Sequence, residues 1–551
     1  MTVGFVGVIV VALLILLAAA GAAWYGENLA PMVSVNGSSV SKDFFRKAVA
    51  VEKWRYDQEE SRIRDRVSAG HLSATDADKQ IQTIGTQRTN VADGTNSKII
   101  EGLLQEQLAS QRGVAVGQDG VDAAWTAEAT VPEERNTSLI TVVPGISSGA
   151  TESTQAEIDL AKQKADELKA KLDGGAAWED VVKAASTGTT VDGSIGWLTP
   201  DSTAVDPNTL KAVFALQPNS VTSVVETTDG SFDIARVTDV APAKVDDQFA
   251  QTVSGAGLDQ GVYRALLGYE ATRTALSASV LADVLDKPSE QRLTSEIVLN
   301  KSGGTGDEVK ASHILISPNG DPQKASAVAA TDPAWTKAKE LADSIFADLN
   351  AGKTTFADAA TKYSNDTGSA ADGGTLPWLS RDAVVTEFGD ALFADGLKQD
   401  QILAPIKTAY GWHIIRYGER RPPADQLIQT VEQEAAKPGA DFAALAKKYS
   451  DASNAASGGE IGWVARLQLP TVQEDAIFAT QPGSVSPVLT TQSGYTIYKV
   501  SQATTRLPDA SQASLIRGSG FESWFRPERD KATVDQLATP AQVLGTPAAT
   551  Q

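Results

Sequence analysis

The chain has 551 residues, and its 48 Lys and Arg against 69 Asp and Glu give a formal net charge of −21. The length suggests about three to five domains, and a hydrophobic content of 42% excludes a wholly disordered chain. So acidic a chain lacks the basic face that binds phosphates, and we expect no nucleic-acid partner. The chain has no cysteine and three histidines. This excludes disulfides and thiolate chemistry, and we expect neither a metal nor a cofactor.

An apolar run without a charged side chain occupies residues 3–25. At about 1.5 Å per residue, a helix of this length crosses a hydrocarbon core of roughly 30 Å. Trp24 and Tyr25 stand at its outer end, where aromatic rings favour the membrane interface. A cleaved signal peptide is the alternative, because residues 18–23 are small and suit a cleavage site. We favour an uncleaved, single-pass transmembrane helix within residues 1–30, with the rest of the chain outside the cytoplasm.

Three stretches of the chain show the same order of patterns: two helices, a glycine turn into a short strand, another helix and a final strand. Their similar spacing indicates repeated domains of about 100 residues rather than a solenoid of short units. The glycine turns and final strands that identify the copies are residues 193–197 and 230–234, 374–378 and 411–415, and 459–463 and 494–497.

The middle copy is the clearest of the three. Residues 310–316 are rich in β-formers and predict a strand. Asp332, followed by proline, predicts the start of one helix, and Thr355 is suited to cap a second. The glycine pair at 373–374 predicts a turn, and residues 412–417 predict the closing strand. The resulting topology is β-α-α-β-α-β, an α+β domain with helices packed on an antiparallel sheet.

Four motifs of this copy lead to a family. They are Ala-Ser-His-Ile-Leu-Ile at 311–316, Tyr-Ser-Asn-Asp at 363–366, Gly-Gly-Thr-Leu at 373–376 and Tyr-Gly-Trp-His-Ile-Ile at 410–415. In this order they resemble the parvulin-type peptidyl-prolyl cis-trans isomerases. The resemblance implies an enzyme that eases rotation about X–Pro bonds without a covalent intermediate. That rotation faces a barrier of roughly 18–20 kcal/mol.

The same resemblance implies the site residues. His313 and His413 correspond to the paired central histidines of the family, and Asp366 stands where relatives carry Cys or Asp, over the substrate amide. These three are the predicted catalytic residues. The predicted substrate-binding residues are Leu376, Val384 and Phe388, which would form the proline pocket, and Tyr410, where some relatives have Ser.

Each of these residues has a structural alternative. Histidines within a sheet can serve only to organise the pocket through hydrogen bonds, Asp366 can be a turn residue, and Phe388 can be ordinary core. Residues 317–323 hold no basic side chain, so we expect no requirement for a phosphorylated substrate. His71 lies in a polar stretch and is expected to be exposed to solvent.

The first and third copies lack this constellation. At the site positions, copy one has Leu139 and Asp233, and copy three has Ala452 and Thr496. We therefore expect both copies to be catalytically silent. No strand is evident directly before copy three, so we interpret it as a partial domain. Tryptophan recurs after the glycine turn even in these degraded copies, which predicts structural packing for Trp197, Trp378 and Trp463.

The remaining segments are mainly helical in pattern. Residues 33–45 with 96–122 resemble the helical peptide-binding region of SurA-like and PrsA-like foldases. The predicted fold is therefore α+β, with repeated parvulin-like domains, one intact and two degenerate, and helical chaperone-like segments. The predicted organisation is an anchor at 1–30, a helical peptide-binding region at 31–130, a degenerate domain at 131–243, a helical region at 244–305, the isomerase domain at 306–420, a partial domain at 421–507, and a short helix with a disordered tail at 508–551.

This layout resembles that of membrane-anchored foldases outside the cytoplasm. The predicted function is peptidyl-prolyl isomerisation by the middle domain together with chaperone activity. The predicted partners are unfolded or exported polypeptides that contain X–Pro bonds, and the membrane through the N-terminal helix. A non-enzymatic holdase and an envelope scaffold that binds peptides through parvulin-like domains are the alternatives. The sequence gives no oligomeric state.

Overall fold

The structure is a computed structural model that describes residues 20–21, 24–145, 153–185 and 193–545. Most of the predicted membrane anchor at residues 1–30 lies outside this part of the chain. Within the described part, no helix combines the length and the apolar character needed to cross a bilayer. The described residues form two compact units. One ends at Lys287 and resumes at Pro508, and the other runs from Pro288 to Leu507.

Long helices dominate the non-repeated part of the first unit. The helix Gln260–Leu285 packs against both Lys42–Ser68 and Val91–Gln111. The Ser41 hydroxyl accepts a hydrogen bond from the Phe44 N–H and so caps the first of these helices. The remaining helices of this part are Ala74–Thr89, Gln118–Glu128, Phe249–Gly255, Ala510–Lys531 and Pro540–Leu544, and its strands are Pro31–Val35, Ser38–Ser41, Thr130–Val131, Lys244–Val245 and Val534–Gln536.

The C-terminal region differs from the prediction of a short helix and a disordered tail. The helix Ala510–Lys531 is long, and the strand Val534–Gln536 pairs antiparallel with Pro31–Val35. Ala538 and Val543 beyond it are both buried. Disorder was predicted because residues 538–551 are rich in Ala, Pro and Thr, and the partner strand that stabilises the start of this region lies at the opposite end of the chain. Residues 546–551 lie outside the described residues.

The first repeat is an α+β domain with an antiparallel sheet. Its strand Glu134–Val142 lies in the sheet between Ser194–Leu198 and Phe232–Ala241. Its buried core includes Ile140, Leu168 and Ile234. The other elements are the helices Gln155–Asp173, Trp178–Ala185 and Pro207–Phe214 and the strands Ser220–Val221 and Val225–Glu226.

The middle repeat has the same architecture and confirms the α+β prediction. Its sheet order places Glu308–Ile316 between Leu379–Ser380 and Trp412–Arg421, with Ile402–Lys407 at the far edge, all antiparallel. The edge strand Ile402–Lys407 was not predicted from sequence. The helices are Pro333–Asn350, Phe356–Tyr363 and Thr386–Leu392, with 3-10 turns at Pro318–Gly320, Ala325–Ala327, Ala370–Asp372 and Arg381–Ala383.

The third repeat is a complete sheet domain, so its interpretation as a partial copy is wrong. Its first strand is Ser289–Asn300, which pairs along its whole length with Gly494–Arg506. This strand precedes the middle domain, and the prediction of a wholly helical segment at 244–305 is wrong there. The middle domain is thus inserted between the first strand of the third domain and the rest of it. The other elements are the helices Ala424–Ala435, Phe442–Tyr449 and Thr471–Ala479, the 3-10 turn Ser453–Ser457, and the strands Glu460–Val464 and Leu489–Thr490.

Candidate active site of the middle domain

Two adjacent strands bring the predicted histidines together. In their antiparallel register Leu315 lies opposite His413, and His313 lies opposite Ile415. The two histidines are therefore diagonal neighbours on one face of the sheet. Their Nδ1 atoms are 3.2 Å apart, and their side chains are buried, with 7% and 5% of the residue exposed.

The segment after the helix Phe356–Tyr363 brings Asp366 to the same place. The Asn365 N–H donates to the Leu315 carbonyl at 2.7 Å, and the Leu315 N–H donates to the Ser364 hydroxyl at 3.1 Å. This segment is thereby tied to the strand that carries His313. Asp366 Oδ2 lies 2.7 Å from His313 Nε2, and 31% of the Asp366 side chain is exposed.

The charge state of each group follows from its surroundings. Burial lowers the pKa of His313, although Asp366 opposes this shift. Burial, with the neighbouring His313, lowers the pKa of His413 to about 3. Burial alone would raise the pKa of Asp366, but hydrogen bonds from Ser369 and His313 outweigh it and lower that pKa. At neutral pH the site therefore holds one carboxylate and two uncharged imidazoles.

These charge states fix the direction of every hydrogen bond. An ionised Asp366 can only accept, so His313 Nε2 carries the proton and His313 Nδ1 is the acceptor. His413 Nδ1 must then donate to His313, which leaves His413 Nε2 to accept from the Thr408 hydroxyl 2.8 Å away. The Tyr410 N–H donates to that same hydroxyl oxygen at 3.1 Å. A single directional chain of hydrogen bonds thus runs from Tyr410 to Asp366.

Sequence reasoning missed two residues of this hydrogen-bond network, Thr408 and Ser369. Thr408 is buried in the turn before the strand Trp412–Arg421. The Ser369 hydroxyl donates to Asp366 Oδ2 at 2.5 Å, three residues along the chain. The spacing Asp-x-x-Ser was the available signal for Ser369, because short polar side chains bond locally at this separation. For Thr408, its position in a turn just before the second histidine was the only hint.

The predicted proline pocket lies beside the histidines. The Phe388 ring stands edge-on to both imidazoles, with centroids 5.9 Å from His313 and 5.3 Å from His413. Leu376 and Val384 are partly buried in the same apolar cluster as Phe388. Tyr410 is 44% exposed as a whole residue and joins the network through its backbone. The structure therefore places six of the seven predicted side chains in one continuous polar and apolar site.

The equivalent positions of the first domain carry different residues that make different contacts. Asp233 takes the place of His413 and is buried, and it accepts hydrogen bonds from Thr141 and Thr209 at 2.6 Å each. The helix that carries Thr209 corresponds to the one that carries Phe388. Leu139 occupies the position of His313. A hydrogen-bonded polar cluster thus stands where the middle domain has its imidazoles and the Phe388 ring.

The third domain diverges in another way. Register places Glu296 at the position of His313 and Thr496 at that of His413. Asn454 donates to Glu296 at 3.2 Å, and burial raises the pKa of that carboxyl group. Ala452 follows Asp451 as Asp366 follows Asn365. No imidazole is present at this site, so it cannot form the hydrogen-bond chain of the middle domain.

The expectation that His71 is exposed is wrong. Its ring stacks on Trp197 of the first domain with centroids 3.8 Å apart, and His71 Nδ1 lies 2.5 Å from a carboxylate oxygen of Glu134. The polar sequence around His71 does not reveal these partners, which lie more than 60 residues further along the chain.

The buried imidazoles predict how pH affects the unit that contains them. Both histidines gain a proton near pH 6.5 when unfolded but only at lower pH when folded. As pH falls below 6.5, the unfolded state binds more protons, so the free energy of unfolding decreases. The loss is up to about 1.4 kcal/mol per pH unit for each histidine. For His413 it continues to about pH 3. Asp366 adds a further loss below its usual value of 3.8.

The matching expectation for activity is a flat profile above pH 7, since the pKa values of His313, His413 and Asp366 all lie below their usual values in the folded state. Urea unfolding at several pH values would measure the first effect, and steady-state turnover would measure the second. His413→Gln serves as the control and should make the stability profile less steep, since only the contribution of His413 is removed. An activity profile with an inflection near pH 6.5 would contradict the assignment of neutral imidazoles.

An antiparallel sheet that presents two touching imidazoles, a carboxylate and an apolar wall defines the middle repeat as a domain of the parvulin class. Models of the PPIC-type PPIASE domain match residues 126–241, 296–421 and 418–502. Together these matches cover more than half of the chain, which belongs to this family of peptidyl-prolyl isomerases. The sequence prediction of a parvulin-type isomerase is confirmed.

The chain is also similar to curated chaperones and, over part of its length, to a solved isomerase structure. The chain is 27% identical over 324 residues to the chaperone SurA of Alkalilimnicola ehrlichii. The aligned region covers 52% of this chain and 72% of the relative. It is 40% identical over 141 residues to SurA of Pseudomonas fluorescens, 25% of this chain and 30% of the relative. A solved structure of the peptidylprolyl isomerase PrsA from Bacillus anthracis is 25% identical, covers 35% of this chain and 75% of that one, and has a TM-score of 0.17.

Proposed function

We propose that the middle domain catalyses the cis-trans isomerisation of X–Pro bonds in polypeptides. The observation that carries this proposal is the unbroken hydrogen-bond chain from Asp366 through His313 and His413 to Thr408, beside an apolar wall. Leu376, Val384 and Phe388 would receive the prolyl ring. Tyr410 would contact the substrate chain, since its side chain is exposed at the edge of the site.

The chemistry asks for shape and polarity rather than for a nucleophile. Rotation removes the resonance of the amide, which shifts electron density from the carbonyl oxygen toward the nitrogen. An enzyme accelerates the rotation if its fixed groups bind the twisted amide better than the planar one. Asp366 is suited to this task, because its charge is held in place by His313 and Ser369 while part of its side chain faces solvent.

The two histidines would act as positioning residues for this carboxylate. They are buried, uncharged and bonded on both ring nitrogens. Their role is then to hold Asp366 and the Phe388 ring in a single arrangement, without transferring a proton to the substrate.

We further propose that the chain acts as a chaperone for unfolded or exported polypeptides. The similarity to SurA chaperones supports this part, together with the helical region around Lys42–Ser68 and Val91–Gln111. Two of the three repeats lack the imidazoles, which favours peptide binding or scaffolding over catalysis as their role. Residues 3–25 would anchor the chain in a membrane, with the bulk of it outside the cytoplasm, a proposal supported by their apolar composition.

A proline tetrapeptide assay on the chain from residue 29 onward tests the isomerase proposal. The wild-type protein should speed cis-to-trans conversion, and a rate no higher than background would refute it. Suppression of aggregation of an unfolded client tests the chaperone proposal. If that suppression persists in Asp366→Ala, binding and catalysis are separate. If the wild-type chain suppresses aggregation but does not isomerise, the non-enzymatic holdase is the correct alternative.

Fractionation tests the anchor. The full-length chain should stay in the membrane pellet after an alkaline wash, whereas the chain without residues 1–28 should be released. A mature protein that begins after residue 23, found by mass spectrometry, would instead establish a cleaved signal peptide.

A further inference from the structure

One wall of the candidate site is paired only in part with the sheet of its own domain. The segment that carries Leu376 runs alongside the first strand of the middle domain, where the Leu376 N–H donates to the Ala311 carbonyl at 2.9 Å. Ladder pairing resumes only at Leu379, opposite Val309. Between them lie Pro377, which has no N–H to donate, and Trp378.

The other two repeats do not have this interruption. In the first domain Trp197 pairs with Asn136 inside the five-residue strand Ser194–Leu198. In the third domain Trp463 pairs with Leu293 inside the five-residue strand Glu460–Val464. Glycine precedes the tryptophan in both, where the middle domain has proline.

Trp378 is held instead by a residue of the third domain. Its indole N–H donates to Asp451 Oδ1 at 2.6 Å, and the Arg421 guanidinium lies over its ring, 4.0 Å from the centroid. Trp378 and Arg421 are each only 7% exposed. A hydrogen bond to a buried carboxylate is among the stronger kinds in proteins. The indole is therefore fixed jointly, by Asp451 of the third domain through its N–H and by Arg421 of its own domain over its ring.

Asp451 also makes a local hydrogen bond to the backbone. Its counterpart in the middle domain, Asn365, makes the same bond with a side-chain amide. Asp451 Oδ2 accepts from the Asn300 N–H at 2.8 Å, just as Asn365 Oδ1 accepts from the Ser317 N–H at 2.8 Å. An asparagine suffices for that local bond. The second oxygen and the charge of Asp451 serve Trp378 and Arg421, the latter 2.9 Å away.

From this arrangement we infer that Asp451 of the third domain is a positioning residue for the isomerase site of the middle domain. It acts through Trp378, which fixes the backbone that places Leu376 against the proline pocket. The third domain thus completes the substrate-binding wall, although it has no imidazole of its own. This inference rests on the proposed function, because it concerns how that site binds its substrate.

Steady-state kinetics of the chain from residue 29 onward test the inference with Trp378→Phe and Asp451→Asn. Phenylalanine keeps the packing but loses the N–H, and asparagine keeps the bond to Asn300 but offers no second acceptor. Each variant should raise KM roughly three- to tenfold with kcat within about twofold, since the pocket wall loosens while the histidine and Asp366 network stays intact. The double variant should raise KM no more than either single one, because both remove the same Trp378–Asp451 hydrogen bond.

Trp463→Phe is the matched control, since it makes the same change in a tryptophan held by its own ladder. It should leave KM within about twofold of wild type, whatever it does to thermal stability. Three results would each overturn the inference: an unchanged KM in Trp378→Phe, KM effects that multiply in the double variant, or an equal rise in Trp463→Phe. A wild-type chain without catalysis would refute the proposed function and this inference together, whereas an active wild type with an unchanged KM in both variants refutes the inference alone.

Discussion

Asp366→Ala should lower kcat/KM for a proline tetrapeptide on the order of 10²-fold, comparable to removing one fixed polar group from other active sites. The substitution removes the acceptor of the His313 Nε2–H bond. A buried N–H of His313 is then left unpaired, and the hydrogen-bond chain through the two imidazoles loses its charged acceptor. Both the charge near the substrate and the order of the site are lost in one change.

Two further variants sharpen this expectation. Asp366→Asn keeps an acceptor for His313 without the charge, and it should lower kcat/KM less, by about 10-fold. Asp372→Ala removes an exposed carboxylate from the same loop and should change kcat/KM less than about twofold. Activity of Asp366→Ala within twofold of wild type would show that the carboxylate is only a turn residue, the alternative that the sequence left open.

Arg421→Ala should destabilise the unit from Pro288 to Leu507 by about 3–5 kcal/mol, the usual cost of removing one partner from a buried ion pair. Arg421 Nε lies 2.7 Å from Glu308, and Arg421 also bonds Asp451 and the Asn300 carbonyl. The side chains of Glu308 and Asp451 are 4% and 8% exposed. Without the guanidinium, two carboxylates would remain buried without their cation.

Hydrogen exchange in the strands Ser289–Asn300 and Glu308–Ile316 would measure this loss, because it reports on the unit rather than on the whole chain. The control is Arg466→Ala, which breaks an ion pair with Asp475 whose side chains are 43% and 67% exposed. That loss should be about 0–1 kcal/mol. An equally small effect in Arg421→Ala would mean that the junction of the two domains is stabilised mainly by packing.

Local patterns in the sequence were sufficient for the middle domain. Alternation in the two strands puts His313 and His413 on one face, and the caps at Asp332 and Thr355 lie where the helices Pro333–Asn350 and Phe356–Tyr363 begin. The motif resemblance added Asp366, which the structure brings within hydrogen-bond distance of His313.

Features that depend on distant partners were beyond the sequence. The strand Ser289–Asn300 alternates like any other, but its partner Gly494–Arg506 follows only after an entire inserted domain. Thr408 belongs to the site because the turn before the strand Trp412–Arg421 directs its hydroxyl toward His413. Periodic sequence patterns do not predict the direction of a side chain in a turn. The same holds for His71, whose partners Glu134 and Trp197 are supplied by another domain.

The insertion of the middle domain also links the folding of the two domains in the second unit. While the middle domain is folded, it holds the chain after Asn300 close to the chain before Ala424, through Arg421 and its bonds to the Asn300 carbonyl and Glu308. If it unfolded, the third domain would have to close a flexible loop over residues 301–423. The entropy of closing so long a loop costs about 4 kcal/mol. The catalytic domain thus acts as an internal cross-link, and its melting weakens a neighbour that carries none of the catalytic residues.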